Sequence, residues 1–282
     1  MISPETLRKL QLIIFDLDGT LLKNDGNIGA ETKKLVKELQ KRGVQFSFAT
    51  GRLHSAITKY AEELEITTPL ISLDGCLIKN HPEGKILFES FVPVKYVSLV
   101  LRYSKNYTVY VALCHDDAIF YTERNSFIPE LMDKHGAKYE QVESYDNYIH
   151  ETLEVVLAAN SFTVINSIRN AVSFPFLSRV NTSFFQSHSY PGIYYLEIRK
   201  RGSSKGKGLD RLIRSLNISK SSTAVVCDWY NDISLLQKSV TKIAMKNAVA
   251  EVKEQSDFVT SKSNNEDGVA EFLEQVLKSK SS

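Results

Sequence analysis

Cysteine is scarce in this 282-residue chain, and Cys76, Cys114 and Cys227 form no C-x-x-C pair. An odd, sparse count excludes a disulfide framework and suits reduced, buried thiols in the cytoplasm. The six histidines show no H-x-x-x-H spacing, so nothing points to a histidine-based metal site. No apolar run approaches the ~20 residues of a membrane-spanning helix. The opening "MISPETLRKL" has no apolar signal segment behind its charges, so no membrane partner is expected. Neither sign of charge dominates: the formal net charge is +2. That balance excludes a strongly basic nucleic-acid binder and an acidic, disordered chain. The one basic run, "IRKRGSSKGKG", is short and lacks interleaved aromatics, so no nucleic-acid partner is expected. Internal repeats are missing, and low complexity is confined to the Ser/Lys-rich tail. Oligomeric state is not written in the sequence.

What is there is ordinary globular composition, 43% apolar and 24% charged, with length enough for two domains. The first 75 residues alternate between strand and helix. "LIIF" reads as a buried strand, and "ETKKLVKELQKRG" has helical spacing and stops at Gly43. "VQFSFAT" reads as a strand, Leu53 to Leu64 as a helix, and "PLISL" as a strand. The end of the chain has the same rhythm, from "KGLDRLIRSLN" through "TAVVCD", "NDISLLQKS", "TKIAM", "AVAEVKEQS" and "FVT" to "GVAEFLEQVLK". This order predicts an α/β fold, a Rossmann-like doubly wound parallel sheet with helices on both faces. The middle is richer in aromatics and alternating segments, and "CHDD" between "YTVYVAL" and "AIFYT" reads as a hairpin turn. The expected organisation is therefore a core of 1–82 and 192–282 interrupted by an inserted α+β cap domain, 83–191.

Open parallel sheets bind ligands beyond the carboxyl ends of their strands. Asp16 and Asp18 end the first strand; Thr50, Gly51 and Arg52 end the second; Asp228 ends "TAVVCD", followed by Asn231 and Asp232. Lys205 precedes a helix in "GSSKGKGL". Carboxylates, a hydroxyl and a lysine thus meet at one sheet edge, a set suited to phosphoryl transfer. An aspartate attacking a phosphate dianion is repelled by it, and Mg²⁺ on neighbouring carboxylates cancels that repulsion. A lysine adds positive charge, and a second carboxylate can protonate the leaving oxygen and then activate water. Each piece has a plainer reading alone: "DLDGT" as a turn, Thr50 as a helix cap, Lys205 as a solvated charge, Asp228 and Asp232 as complements to a helix dipole. A calcium loop starting at Asp16 fails, because its sixth position is Leu21 and its twelfth Asn27.

Four stretches in this order, "FDLDGTLL", "FATGR", "SSKGKGL" and "CDWYNDISLL", resemble the four motifs of haloacid-dehalogenase-superfamily phosphatases of the Cof type, which carry a type IIB cap. The stretch from "IAMKNAVAEV" to "GVAEFL" resembles the end of that family. The resemblance implies that Asp16 is the nucleophile and Asp18 the general acid and base. It implies that Thr50, Gly51, Arg52, Lys205 and Asn231 contact the phosphate, and that Asp16, the Asp18 carbonyl and Asp228 hold Mg²⁺. Asp232 would support Lys205 or a metal-bound water. The sequence departs from the pattern at Cys227 for Gly, Asp74 for Asn after the third strand, and Lys246 for Gly.

The activity so implied is Mg²⁺-dependent hydrolysis of a small phosphorylated metabolite: a sugar phosphate, a flavin-related phosphate or pyridoxal phosphate. Two alternatives stay open. A phosphomutase would need clustered basic residues in the insert, whereas Arg124, Arg169 and Arg179 are scattered. A non-catalytic phosphometabolite-binding protein would have no need of the full motif set.

Overall fold

The computed structural model describes residues 2–129, 137–173, 179–187 and 190–281. The chain forms two compact units. The first comprises Met1–Gly51, Thr58–Leu87 and Ser204–Ser282; the second comprises Arg52–Ile57 and Phe88–Ser203.

The first unit is built on a five-stranded sheet, in the order Phe258–Val259, Thr241–Ala244, Thr223–Cys227, Leu12–Phe15, Gln45–Phe48. Every pairing in it is parallel. Leu12–Phe15 lies inside the sheet, between Thr223–Cys227 and Gln45–Phe48, with each side chain fully buried, as an uninterrupted apolar run requires when both faces of a strand are covered. Because the strands are parallel, the residues after Phe15, Phe48 and Cys227 emerge at one edge. The helix Gly268–Ser281 packs on Ala30–Gln40 and Pro4–Lys9, and Lys205–Ser215 packs on Ile233–Leu236.

Two local readings change. The helix expected from Leu53 to Leu64 is shorter, Thr58–Glu63, and residues 52–57 go with the other unit. The strand Leu70–Ser72 joins Gln45–Phe48 only through a parallel bridge between Ala49 and Ile71. Its main pairing is antiparallel with Leu77–Lys79, in a separate three-stranded sheet.

The second unit is a six-stranded sheet in the order Val180–Gln186, Tyr194–Lys200, Glu154–Ala159, Tyr110–Cys114, Ala118–Thr122, Lys138–Val142. The "CHDD" turn closes a hairpin: Leu113 pairs with Phe120, Cys114 with Ile119, and the His115 amide donates to the Ala118 carbonyl at 2.9 Å. Helices Val94–Asn106 and Phe162–Ser173 supply Val97, Val100, Ile165 and Ile168 to a core shared with Val111, Leu157 and Leu196. The unit runs to Ser203, past the boundary at 191 read from the sequence, because Tyr194–Lys200 pairs on both sides within this sheet.

Candidate active site

Asp16 follows the interior strand Leu12–Phe15, and its amide donates to the Val226 carbonyl of the neighbouring strand at 3.0 Å. The chain then turns sharply: the Leu21 amide returns to the Asp16 carbonyl at 3.3 Å and the Leu22 amide to the Leu17 carbonyl at 2.9 Å. Gly19 makes the turn possible. Its φ is +76°, and a Cβ there would lie 2.3 Å from Asp228 Oδ2. Thr20, in the same turn, donates its hydroxyl to Asp228 Oδ1 at 2.7 Å. The first and fourth motifs are thereby locked together.

Lys205 opens the helix Lys205–Ser215 and is fully buried, which a lysine tolerates only with partners. Its Nζ donates to Asp16 Oδ1 at 2.6 Å and to Asp232 Oδ1 at 2.7 Å. The other oxygen of Asp232 accepts the amides of Asp228 and Trp229, at 3.2 and 3.1 Å. Asp232 therefore holds both the ammonium and the backbone of the Asp228 loop. Carboxylate oxygens of Asp16, Asp228 and Asp232 lie within 4.8 Å of one another. Fully ionised, three carboxylates against one ammonium would put an excess of two negative charges in a buried space.

The electrostatics follow from that excess. Burial pushes the Asp16 carboxyl well above the usual range; Lys205 opposes the shift, and Asp232 and Asp228 reinforce it. Asp228 is pushed up to about 7, by burial first and then by Asp232. Burial alone would lower Lys205, but Asp16 and Asp232, with Asp74 behind them, hold it well above its ordinary value. Burial and the same carboxylates push the Cys227 thiol far up, so it is an inert, packed sulfur.

A second group lies beside the first. Thr50 is buried and its amide donates to the Ile71 carbonyl at 3.0 Å. Gly51 adjoins the Asp74 carboxylate, and Asn231 Nδ2 donates to Asp74 Oδ1 at 3.2 Å. Asp18 is exposed, two residues beyond Asp16, and Arg52 is buried at the start of the segment assigned to the second unit. Of the residues singled out in the sequence, Asp16, Lys205, Asp228 and Asp232 form one contiguous cluster. Thr50, Gly51 and Asn231 gather around Asp74. The sequence reading missed Thr20, although the hydroxyl two residues past Asp18 in "DGT" was the available signal.

The donor set fits a hard divalent cation. It offers carboxylate oxygens only, and when these are ionised their surplus over the Lys205 ammonium matches the charge of one such ion. Among the carboxylates Asp232 is already committed to Lys205 and two amides, which leaves Asp16 and Asp228 as the better ligands.

A parallel sheet with an acid–lysine cluster at its carboxyl edge and a second unit inserted between its halves defines a Rossmann-like α/β enzyme. The sequence model of the haloacid dehalogenase-like hydrolases matches residues 13–273, and the chain belongs to that family. It is 29% identical to the phosphatase YwpJ of Bacillus subtilis, over 95% of this chain and all of that one. It is 26% identical to the 5-amino-6-(5-phospho-D-ribitylamino)uracil phosphatase YitU of the same organism, over 95% of this chain and 98% of the other. The crystal structure of TM0651 from Thermotoga maritima superposes with a TM-score of 0.81 at 26% identity, over 94% of this chain and 97% of that one. A haloacid dehalogenase-like hydrolase from Bacteroides thetaiotaomicron has the same fold, with a TM-score of 0.83 at 22% identity over 95% of this chain and 99% of the other.

Proposed function

We propose that the protein is a Mg²⁺-dependent phosphatase that releases inorganic phosphate from a small phosphorylated metabolite through a phosphoaspartate on Asp16. The observation that carries the reading is the buried contact of Lys205 with Asp16, held in place by Asp232. A lysine so placed neutralises a phosphoryl oxygen beside the attacking carboxylate, where charge gathers in the transition state. Mg²⁺ on Asp16, the Asp18 carbonyl and Asp228 would supply further charge neutralisation.

The chain's own residues then divide the work. An oxygen of Asp16 forms the bond to phosphorus as the ester bond breaks. Asp18, exposed and two residues on, gives its proton to the departing alkoxide. The same carboxylate, now a base, takes a proton from the water that attacks the acyl phosphate, regenerating Asp16 and releasing phosphate. Thr50, Gly51 and Asn231 hold the phosphoryl oxygens. Arg52 contacts the phosphate in this reading, and the inserted segment serves leaving-group choice. Relatives named as an aminouracil phosphatase and an HMP-PP phosphatase favour phosphorylated heterocycles and related metabolites, with sugar phosphates and pyridoxal phosphate in the same range. Three buried thiols, Cys76, Cys114 and Cys227, suit the reducing cytoplasm, and among the described residues no helix is long and apolar enough to cross a membrane.

The test is phosphate release from a panel of phosphorylated metabolites, with hexose 1-phosphates followed for isomerisation as well. Free phosphate is the expected product. Asp16→Asn should keep the fold and lose at least about 10³ in kcat, because an amide is a far weaker nucleophile. Wild-type turnover by that variant would remove Asp16 from the mechanism. Bisphosphate-dependent isomerisation outpacing phosphate release would make the enzyme a mutase.

A further inference from the structure

Asp74 lies in a turn with three successive residues at positive φ: Leu73 at 47°, Asp74 at 48° and Gly75 at 87°. A left-handed leucine and aspartate in sequence are costly and persist only where the surroundings fix them. Here the fixing is visible. The Asp74 amide donates to the Thr50 carbonyl at 2.9 Å, and a Cβ on Gly75 would lie 2.3 Å from the Ser204 carbonyl oxygen, one residue before Lys205. The turn is thus wedged between the second and third motifs. Its product is a nearly buried carboxylate whose Oδ1 would be 3.5 Å from a Cβ on Gly51 and accepts Asn231 Nδ2 at 3.2 Å.

We infer that Asp74 is a positioning residue that braces the Thr50–Gly51 loop against Asn231 and sets which end of the Asn231 amide faces it. A carboxylate can only accept, so the Asn231 amide is held nitrogen-first toward Asp74 and cannot turn over without placing two oxygens against each other. The backbone of Asp74 holds Thr50 while its side chain holds Asn231, so two phosphate-binding loops from separate strands share one anchor. The arrangement carries a cost in charge. The carboxylate helps to hold Lys205 protonated, yet it stands as one more negative group beside a site that must take a phosphate. The oxygen braces the site and its charge opposes the ligand.

The inference rests on the phosphate-binding reading of this site, and three variants separate its parts. Asp74→Asn keeps an acceptor oxygen, removes the charge and tolerates the left-handed backbone. Asp74→Ala removes the acceptor but strains the turn, whereas Asp74→Gly removes the acceptor with no strain. The probe is inorganic phosphate, titrated against the full chain in Mg²⁺ by calorimetry and as a competitive inhibitor. The expected order of affinity is Asp74→Asn tightest, by about threefold over wild type, then wild type, then Ala and Gly, each weaker by about tenfold, since a loosened amide loses most of one charge-assisted hydrogen bond. Asn231→Ala should weaken phosphate as Asp74→Gly does, and combining the two should cost no more than either alone. Gly or Ala binding as tightly as Asn would reduce Asp74 to a charge and overturn the brace. Asn binding as weakly as Gly would do so as well, by showing that the charge itself is needed. Additive losses in the double variant would uncouple Asp74 from Asn231. A wild-type protein that neither binds phosphate nor releases it would overturn the phosphatase reading, and the brace with it.

Discussion

Gly19 shows how one position serves both backbone and chemistry. It needs a left-handed φ for the turn after Asp16, and it needs no Cβ because Asp228 occupies that space. A methyl group would push Asp228 away from Asp16 and break its bond from Thr20. Gly19→Ala should therefore stay folded by circular dichroism and lose about 10²-fold in kcat/KM, the usual effect of an ångström-scale displacement of a reacting group. Activity near wild type would mean that the Asp228 loop moves without consequence. The site was legible at this scale because motif order and strand ends mark Asp16, Lys205, Asp228 and Asp232 directly. Thr20 and Asp74 were harder to see. Their roles depend on partners 208 and 157 residues away in the chain, and no local pattern announces such a pair.

Elements of the first unit could be read because apolar spacing, glycine stops and strand runs agree there with the final packing. What could not be read is how one element finishes another. The helix Ala30–Gln40 starts at Gly29, which has no side chain to cap it. Asp267 does so from the far end of the chain: Oδ2 accepts the amides of Glu31 and Thr32 at 3.1 and 3.2 Å, and Oδ1 accepts the Thr32 hydroxyl at 2.5 Å. A Cβ on Gly29 would strike that carboxylate, at 2.0 Å from its carbon, so the glycine makes room for the borrowed cap. Asp267 sits at φ 59°, so Asp267→Gly removes the cap without straining the backbone and should cost about 1–2 kcal/mol in urea unfolding, the range of a lost N-cap with a dipole contribution. Turnover at saturating substrate should be unchanged, and unaltered stability would show the cap to be redundant. The end of the insert was misplaced for a related reason. The sequence analysis assigns no element to Tyr194–Lys200, and its pairing with Glu154–Ala159 and Val180–Gln186 places it in the second unit.

For the whole molecule, the excess of buried carboxylate charge at the site links stability to both pH and cation. Without a cation, Asp228 titrates at about 7, against 3.8 for an ordinary aspartate. Between those values the folded protein keeps a proton that the unfolded chain has released. The native state therefore binds more protons, and by linkage the stability of the cation-free protein falls as pH rises through that window. A divalent cation on Asp16 and Asp228 competes with these protons, so its apparent affinity rises over the same interval. It also adds stability, because the unfolded chain has no assembled site. Thermal unfolding in EDTA should show Tm falling from pH 5 to pH 8 through this contribution. Millimolar Mg²⁺ should raise Tm little at pH 5 and by several degrees at pH 8, an increment of about 1–2 kcal/mol being a few degrees for a chain of this size. Asp228→Asn separates this from the general pH dependence of the fold. It removes one negative charge and one titrating group, so it should flatten the EDTA profile and abolish most of the Mg²⁺ increment at pH 8. An increment equal at both pH values, or one that survives Asp228→Asn, would place the cation elsewhere in the molecule.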